Sequence, residues 1–151
     1  MNNKIIDFPK IKSPFVRENI NGKYIVTPEI EEGYNWVFED QSVLAVDKLH
    51  GTNICCIFEN GKLMHVDNRS HRLIEEPCIC SNFKTETFRT IEGILRAFER
   101  NWIDKDFTGR MYGELVGPTI NGNLHQLDRH YFVPSDRDWE IFIYPITFKC
   151  S

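Results

Sequence analysis

The dipeptide Asn60-Gly61 constrains this chain more than any other feature. Asn-Gly accepts the positive φ angles of a two-residue type I′ turn, the tightest link between antiparallel strands. Apolar runs flank it, Ile54-Cys55-Cys56-Ile57-Phe58 before and Leu63 to Asp67 after. The pattern predicts a hairpin with Glu59 opposite Lys62 and Ile54 opposite Asp67. Continued outward, the same register sets Thr52 opposite Arg69. The return strand thus delivers a guanidinium beside the segment that leads into the hairpin.

That segment is Lys48-Leu49-His50-Gly51-Thr52-Asn53. It follows a predicted strand from about Ser42 to Asp47, so a lysine stands at a strand's mouth. Gly51 lets a bulky ligand approach the backbone, and Thr52 and Asn53 offer short hydrogen-bonding groups. An amine attacks phosphorus only after losing its proton, which desolvation or a nearby cation favours. Arg69 is such a cation, and it suits a bidentate grip on an anionic ligand.

The 151 residues are expected to form one domain, 1–151, with a real core helped by eleven Phe. A net charge of −4 argues against a life of non-specific nucleic-acid binding. No apolar stretch reaches membrane-spanning length, and Met1-Asn2-Asn3-Lys4 is no signal peptide, so a cytoplasmic protein is expected. Five cysteines, an odd number, read as free thiols. Cys78-Ile79-Cys80 has no second ligand pair, so no protein-bound metal is expected. His65, His71, His125 and His130 are scattered and read as surface or core residues, and His50 as loop-shaping.

Elsewhere, Lys4 to Lys23 reads as polar and Pro-broken, and Tyr24 to Val26 as a short strand stopped at Pro28. Alternation of Tyr34, Trp36 and Phe38 predicts a half-buried strand. Ser70 to Lys84 reads as a loop. Phe88, Ile91, Leu95, Phe98 and Trp102 recur at helical spacing and predict one amphipathic helix over 87–102. Arg110 to Val116 reads as a strand closed by Gly117-Pro118, and Thr119 to Arg129 as irregular. Trp139 to Phe148 reads as an edge or bulged strand, because Pro145 interrupts it. The class expected is α+β.

Lys48-Leu49-His50-Gly51-Thr52-Asn53 resembles motif I of the covalent nucleotidyltransferases, the superfamily of ATP-dependent ligases and capping enzymes. Histidine before the glycine with Thr-Asn after it is similar to the RNA ligase 2-like branch. Tyr112-Gly113-Glu114-Leu115-Val116-Gly117-Pro118-Thr119-Ile120-Asn121-Gly122-Asn123 resembles motif III. Arg69-Ser70 resembles motif Ia, and Glu140-Ile141-Phe142-Ile143-Tyr144 resembles motif IIIa.

The resemblance implies a role for each residue. Lys48 takes AMP from ATP, Arg69 contacts ribose or phosphate, and Glu114 accepts from a ribose hydroxyl. Tyr144, or Phe142 in its place, stacks on adenine. Leu49 and Asn53 flank the nucleophile, and His50, Gly51, Thr52 and Gly113 shape the motifs. The fold implied is an ATP-grasp-like arrangement, with antiparallel sheets around a nucleotide cleft and one main packed helix. The activity implied is RNA ligation, with ATP and Mg²⁺ as cofactors and RNA ends as partner. The alternatives are a DNA ligase or capping guanylyltransferase, and a truncated nucleotide- or RNA-binding module without catalysis. Two family elements have no counterpart, an acidic motif IV and a lysine-bearing motif V, so the resemblance implies an adenylation domain whose C-terminal part is missing and whose adenylation is impaired. They are expected after motif IIIa, where the chain reaches only Lys149-Cys150-Ser151. Pro145 stands where the family often has an acid.

Overall fold

The computed structural model describes residues 4–46, 48–76, 78–79, 84–99, 103–135 and 143–145. In chain order the strands are β1 (Phe15–Ile20), β2 (Lys23–Ile30), β3 (Leu44–Val46), β4 (Thr52–Glu59), β5 (Lys62–Asp67), β6 (Arg72–Glu75), β7 (Cys78–Ile79), β8 (Gly109–Val116), β9 (Tyr131–Pro134) and β10 (Ile143–Pro145). The helices are α1 (Trp36–Glu39) and α2 (Thr85–Ala97), with one 3-10 turn at Asn121–Asn123. The class is α+β with antiparallel sheets. Contacts divide the chain into two units, one of residues up to 8 and from 48 through β9, the other of residues 9–47 with β10.

The second unit holds two small sheets. β1 pairs with β2 across the Asn21-Gly22 turn, and β3 pairs with β10. β2 runs through Pro28 instead of stopping there. The ladder is interrupted between Arg17 and Phe15, opposite that stretch, so the missing N–H breaks no regular pairing. The expected strand at Tyr34 is instead the short helix α1. Phe38 packs on Phe15 at 5.2 Å between ring centroids. Trp36 points outward, 56% exposed.

The first unit is built on a six-stranded sheet in the order β7-β6-β5-β4-β8-β9. Asn60 and Gly61 take φ of 48° and 73° and make the expected turn. Glu59 pairs with Lys62, but the ladder slips between Phe58 and Ile57. Beyond this bulge Cys55, not Ile54, faces Asp67. Extrapolated, Asn53 rather than Thr52 stands opposite Arg69, and a one-residue slip moves a side chain to the other face of the sheet.

α2 covers one face. Its Ile91, Ile94 and Ala97 close the core with Ile54, Phe58, Val66, Leu73, Leu115 and Phe132. Each large aliphatic or aromatic side chain buried there contributes about 1.5–3 kcal/mol. The helix ends at Ala97 rather than Trp102, and Phe88 and Leu95 are about half exposed, at 47% and 48%. The N-terminal segment lies on the other face. Tyr112 Oη donates to the Ile6 carbonyl at 2.8 Å, Arg110 Nη2 donates to the Lys4 carbonyl at 3.3 Å, and Phe8 packs on Tyr112. Cover on both faces explains why Ile54 to Phe58 are all buried instead of alternating.

β6, β7 and β9 replace segments read as loop or left unassigned. Each is four residues or fewer, too short for a clear period. Of the expected last strand, Ile143–Pro145 pairs with β3, and the rest lies outside the described residues. Among the described residues no helix is long and apolar enough to cross a membrane.

Candidate functional site

The chain enters β4 through Lys48, Leu49, His50 and Gly51. The first ladder pair of β4 with β8 is Thr52 with Leu115, so the backbone groups just upstream need other partners. Three side chains from Glu114 and the loop that follows β8 supply them. The Gly51 N–H donates to Glu114 Oε1 at 3.2 Å. The His50 N–H donates to His125 Nε2 at 2.8 Å. Asn121 Nδ2 donates to the Gly51 carbonyl at 2.6 Å. Lys48 itself is exposed.

This grip needs glycine at 51. A Cβ there would overlap the Leu115 carbonyl oxygen and stand 2.7 Å from Val116 Cγ1 and 3.0 Å from Glu114 Cγ. Gly51→Ala is therefore expected to destabilise the chain by about 1–3 kcal/mol, as overpacking does. Urea unfolding of the two proteins measures it. Gly113 is equally confined, since a Cβ would stand 2.6 Å from the Phe132 ring.

Asn53 pairs with Glu114, so both side chains share the face of the sheet opposite α2. Arg69 stands in the bend just beyond the end of β5, where its charge reaches the Glu114 carboxyl. The electrostatics agree. Burial pushes the Glu114 carboxyl above its ordinary value of 4.5, and the Gly51 N–H, Arg69, Lys48 and His50 pull it back, in that order. Residues from the three segments read as motifs I, Ia and III thus act on one carboxyl. Because its folded value is raised, Glu114 contributes stability that is full below the unfolded carboxylate range. That contribution is lost as pH rises through the folded value.

Arg69 has a partner of its own. Its Nη1 lies 3.1 and 2.9 Å from the two Asp7 carboxylate oxygens, with both side chains about two-fifths exposed, at 43% and 41%. Such a pair is worth about 0–1 kcal/mol, so an incoming anion can displace it. Thr52 does not join this group. With Asn68, Lys84, Thr85, Arg89 and Asn121 it borders a cavity of about 520 Å³ on the α2 side.

Leu49 is half-buried. Tyr144 sits in β10 opposite Ala45, but its side chain and all of Phe142 lie outside the described residues. Among the described residues no group of three or more His, Cys, Asp or Glu is arranged to hold a metal. Cys55 and Cys56 are free and buried, as expected of reduced thiols. Sequence reasoning missed Asp7, Asn121 in its contact role, and His125. None stands at a telling spacing from Lys48: the loop after β8 carries Asn121 and His125 to the segment before β4, and Asp7 comes with the N-terminal segment held by Arg110 and Tyr112.

No family model, curated protein or solved structure matches this chain.

Proposed function

We propose that this chain is the adenylation domain of an ATP-dependent RNA ligase, with the ATP-grasp-like architecture of covalent nucleotidyltransferases, and that Lys48 is its nucleophile. One observation carries the reading. The Glu114 carboxyl accepts the Gly51 N–H and feels Lys48, Arg69 and His50 together. An amine, a guanidinium and a carboxyl around one glycine form a suitable set for a nucleoside triphosphate. The guanidinium grips phosphate or ribose, the carboxyl accepts from a ribose hydroxyl, and the amine attacks.

The Lys48 ammonium gives one proton to solvent and the neutral Nζ adds to the α-phosphorus. The bond to the β-phosphate breaks, and pyrophosphate leaves with the electron pair. A second proton passes from nitrogen to water, leaving a phosphoramidate. An oxygen of an RNA 5′-phosphate then attacks the same phosphorus, and the P–N bond breaks as the nitrogen takes a proton from water and leaves with the electron pair, restoring the Lys48 amine. Finally a 3′-hydroxyl displaces AMP and joins the strand. Mg²⁺ belongs to such chemistry because it neutralises phosphate charge. The described residues offer Glu114 but no cage for a metal, so no step here is routed through protein ligands to it.

The test is incubation with Mg²⁺ and α-labelled ATP, GTP or adenylate-labelled NAD. Acid-stable label from ATP that disappears in Lys48→Ala is expected. Preference for GTP would move the chain to the capping class, and preference for NAD to the NAD-dependent ligases. Nucleotide binding without covalent label would make it a binding module, and label surviving Lys48→Ala would reject the assignment.

A further inference from the structure

The loop after β8 does more than link two strands. Asn121, Asn123 and Gln126 all take positive φ, at 44°, 51° and 51°, in a run that few residue types adopt. Asn123 locks the loop, since its Nδ2 donates to the Leu127 carbonyl at 3.0 Å and its Oδ1 accepts the Leu127 N–H at 2.9 Å. The clasp spans His125, whose Nε2 accepts the His50 N–H. An acceptor nitrogen carries no proton, so the ring proton sits on Nδ1. Asn121 holds the next carbonyl from the same loop.

We propose that His125 is a positioning residue for the Lys48 nucleophile. Its Nε2 pins the backbone two residues beyond Lys48, which fixes the point from which the lysine side chain springs and so narrows the range its amine can reach. This role rests on the nucleotidyl-transfer reading, whereas the pin itself does not. Lys48 is exposed and makes no ion pair among the described residues, so its aim depends on its backbone. Misplacement of a reacting group by about 1 Å can slow a reaction by as much as about a hundredfold.

The variants His125→Leu and His125→Gln separate the pin from bulk, because glutamine keeps an acceptor at the reach of Nε2. In His125→Leu the His50 amide is expected to exchange with deuterium about tenfold faster. The rate of label uptake by Lys48 is expected to fall about tenfold or more at saturating ATP, with little change in the ATP concentration for half-maximal rate. His125→Gln should restore both. In the unaltered protein, ¹⁵N shifts of the His125 ring should show Nδ1 protonated and Nε2 bare, a reading that needs no variant to fold. Unchanged His50 exchange, or a proton on Nε2, would overturn the pin. Faster exchange with wild-type labelling would overturn the positioning role. If the unaltered chain takes no label, the enzymatic reading and the role that depends on it fall together, while the exchange result still decides the pin.

Discussion

Arg72→Leu is expected to lower the folding free energy by about 3–5 kcal/mol. Asp67 is fully buried, and Arg72 Nε donates to its Oδ1 at 2.9 Å with the arginine side chain 13% exposed. Removing the guanidinium leaves a carboxylate in the sheet without that charge beside it, and a buried charge that loses its partner is strongly destabilising. The effect also reaches the candidate site. Asp67 ends β5, and Arg69 follows two residues later, where the Asn68 side chain caps the turn through the Ser70 and His71 N–H groups at 2.8 and 2.7 Å. Urea unfolding of Arg72→Leu, Asp67→Leu and the double variant completes the comparison. The double variant should recover much of the loss, because no charge is then left buried.

Phe58→Ala is expected to cost about 3–5 kcal/mol as well, by a different route. Phe58 is 1% exposed and lies at the centre of an aromatic cluster, 5.7 Å from both Phe98 and Phe107 in edge-on geometry. Truncation removes its buried area and leaves a cavity between α2 and the sheet that rigid neighbours cannot fill. The loss should appear in thermal or urea unfolding. Leu95→Ala, on the half-exposed side of α2, should change stability far less and serves as the contrast.

The parts of the fold legible in the sequence were those with a local cause. Asn60-Gly61 announced its turn, and the Ile54 to Phe58 run, the return strand and β8 followed from apolar pattern alone. The helix was legible from the spacing of Phe88, Ile91, Leu95 and Phe98. Its buried face was only partly so, since Ile91 is buried with Ile94 and Ala97 while Phe88 and Leu95 are half exposed. Its end was not, because Phe98 and Trp102 continue the spacing past the point where the helix stops. Short pairings such as β6, β7 and β9 owe their conformation to neighbours on the sheet and carry little signal of their own. The bulge between Ile57 and Phe58 was invisible for the same reason. It is a tertiary feature, and it sets Cys55 rather than Ile54 opposite Asp67. Lys48, Gly51, Arg69 and Glu114 were singled out together through their resemblance to ligase motifs, and of these the Gly51 N–H and Glu114 Oε1 are in hydrogen-bond contact. His125 and Asn121 were not legible as contacts, since a side chain that grips a backbone atom more than sixty residues away leaves no trace in local spacing.

The central claim is that the Lys48 amine bonds covalently to a nucleotide's α-phosphorus. The direct measurement is peptide mapping by mass spectrometry after incubation with ATP and Mg²⁺. One AMP-sized addition is expected on the peptide that contains Lys48, removed by pyrophosphate and absent in Lys48→Arg. An unmodified Lys48 peptide, or an adduct on a different lysine, would contradict it.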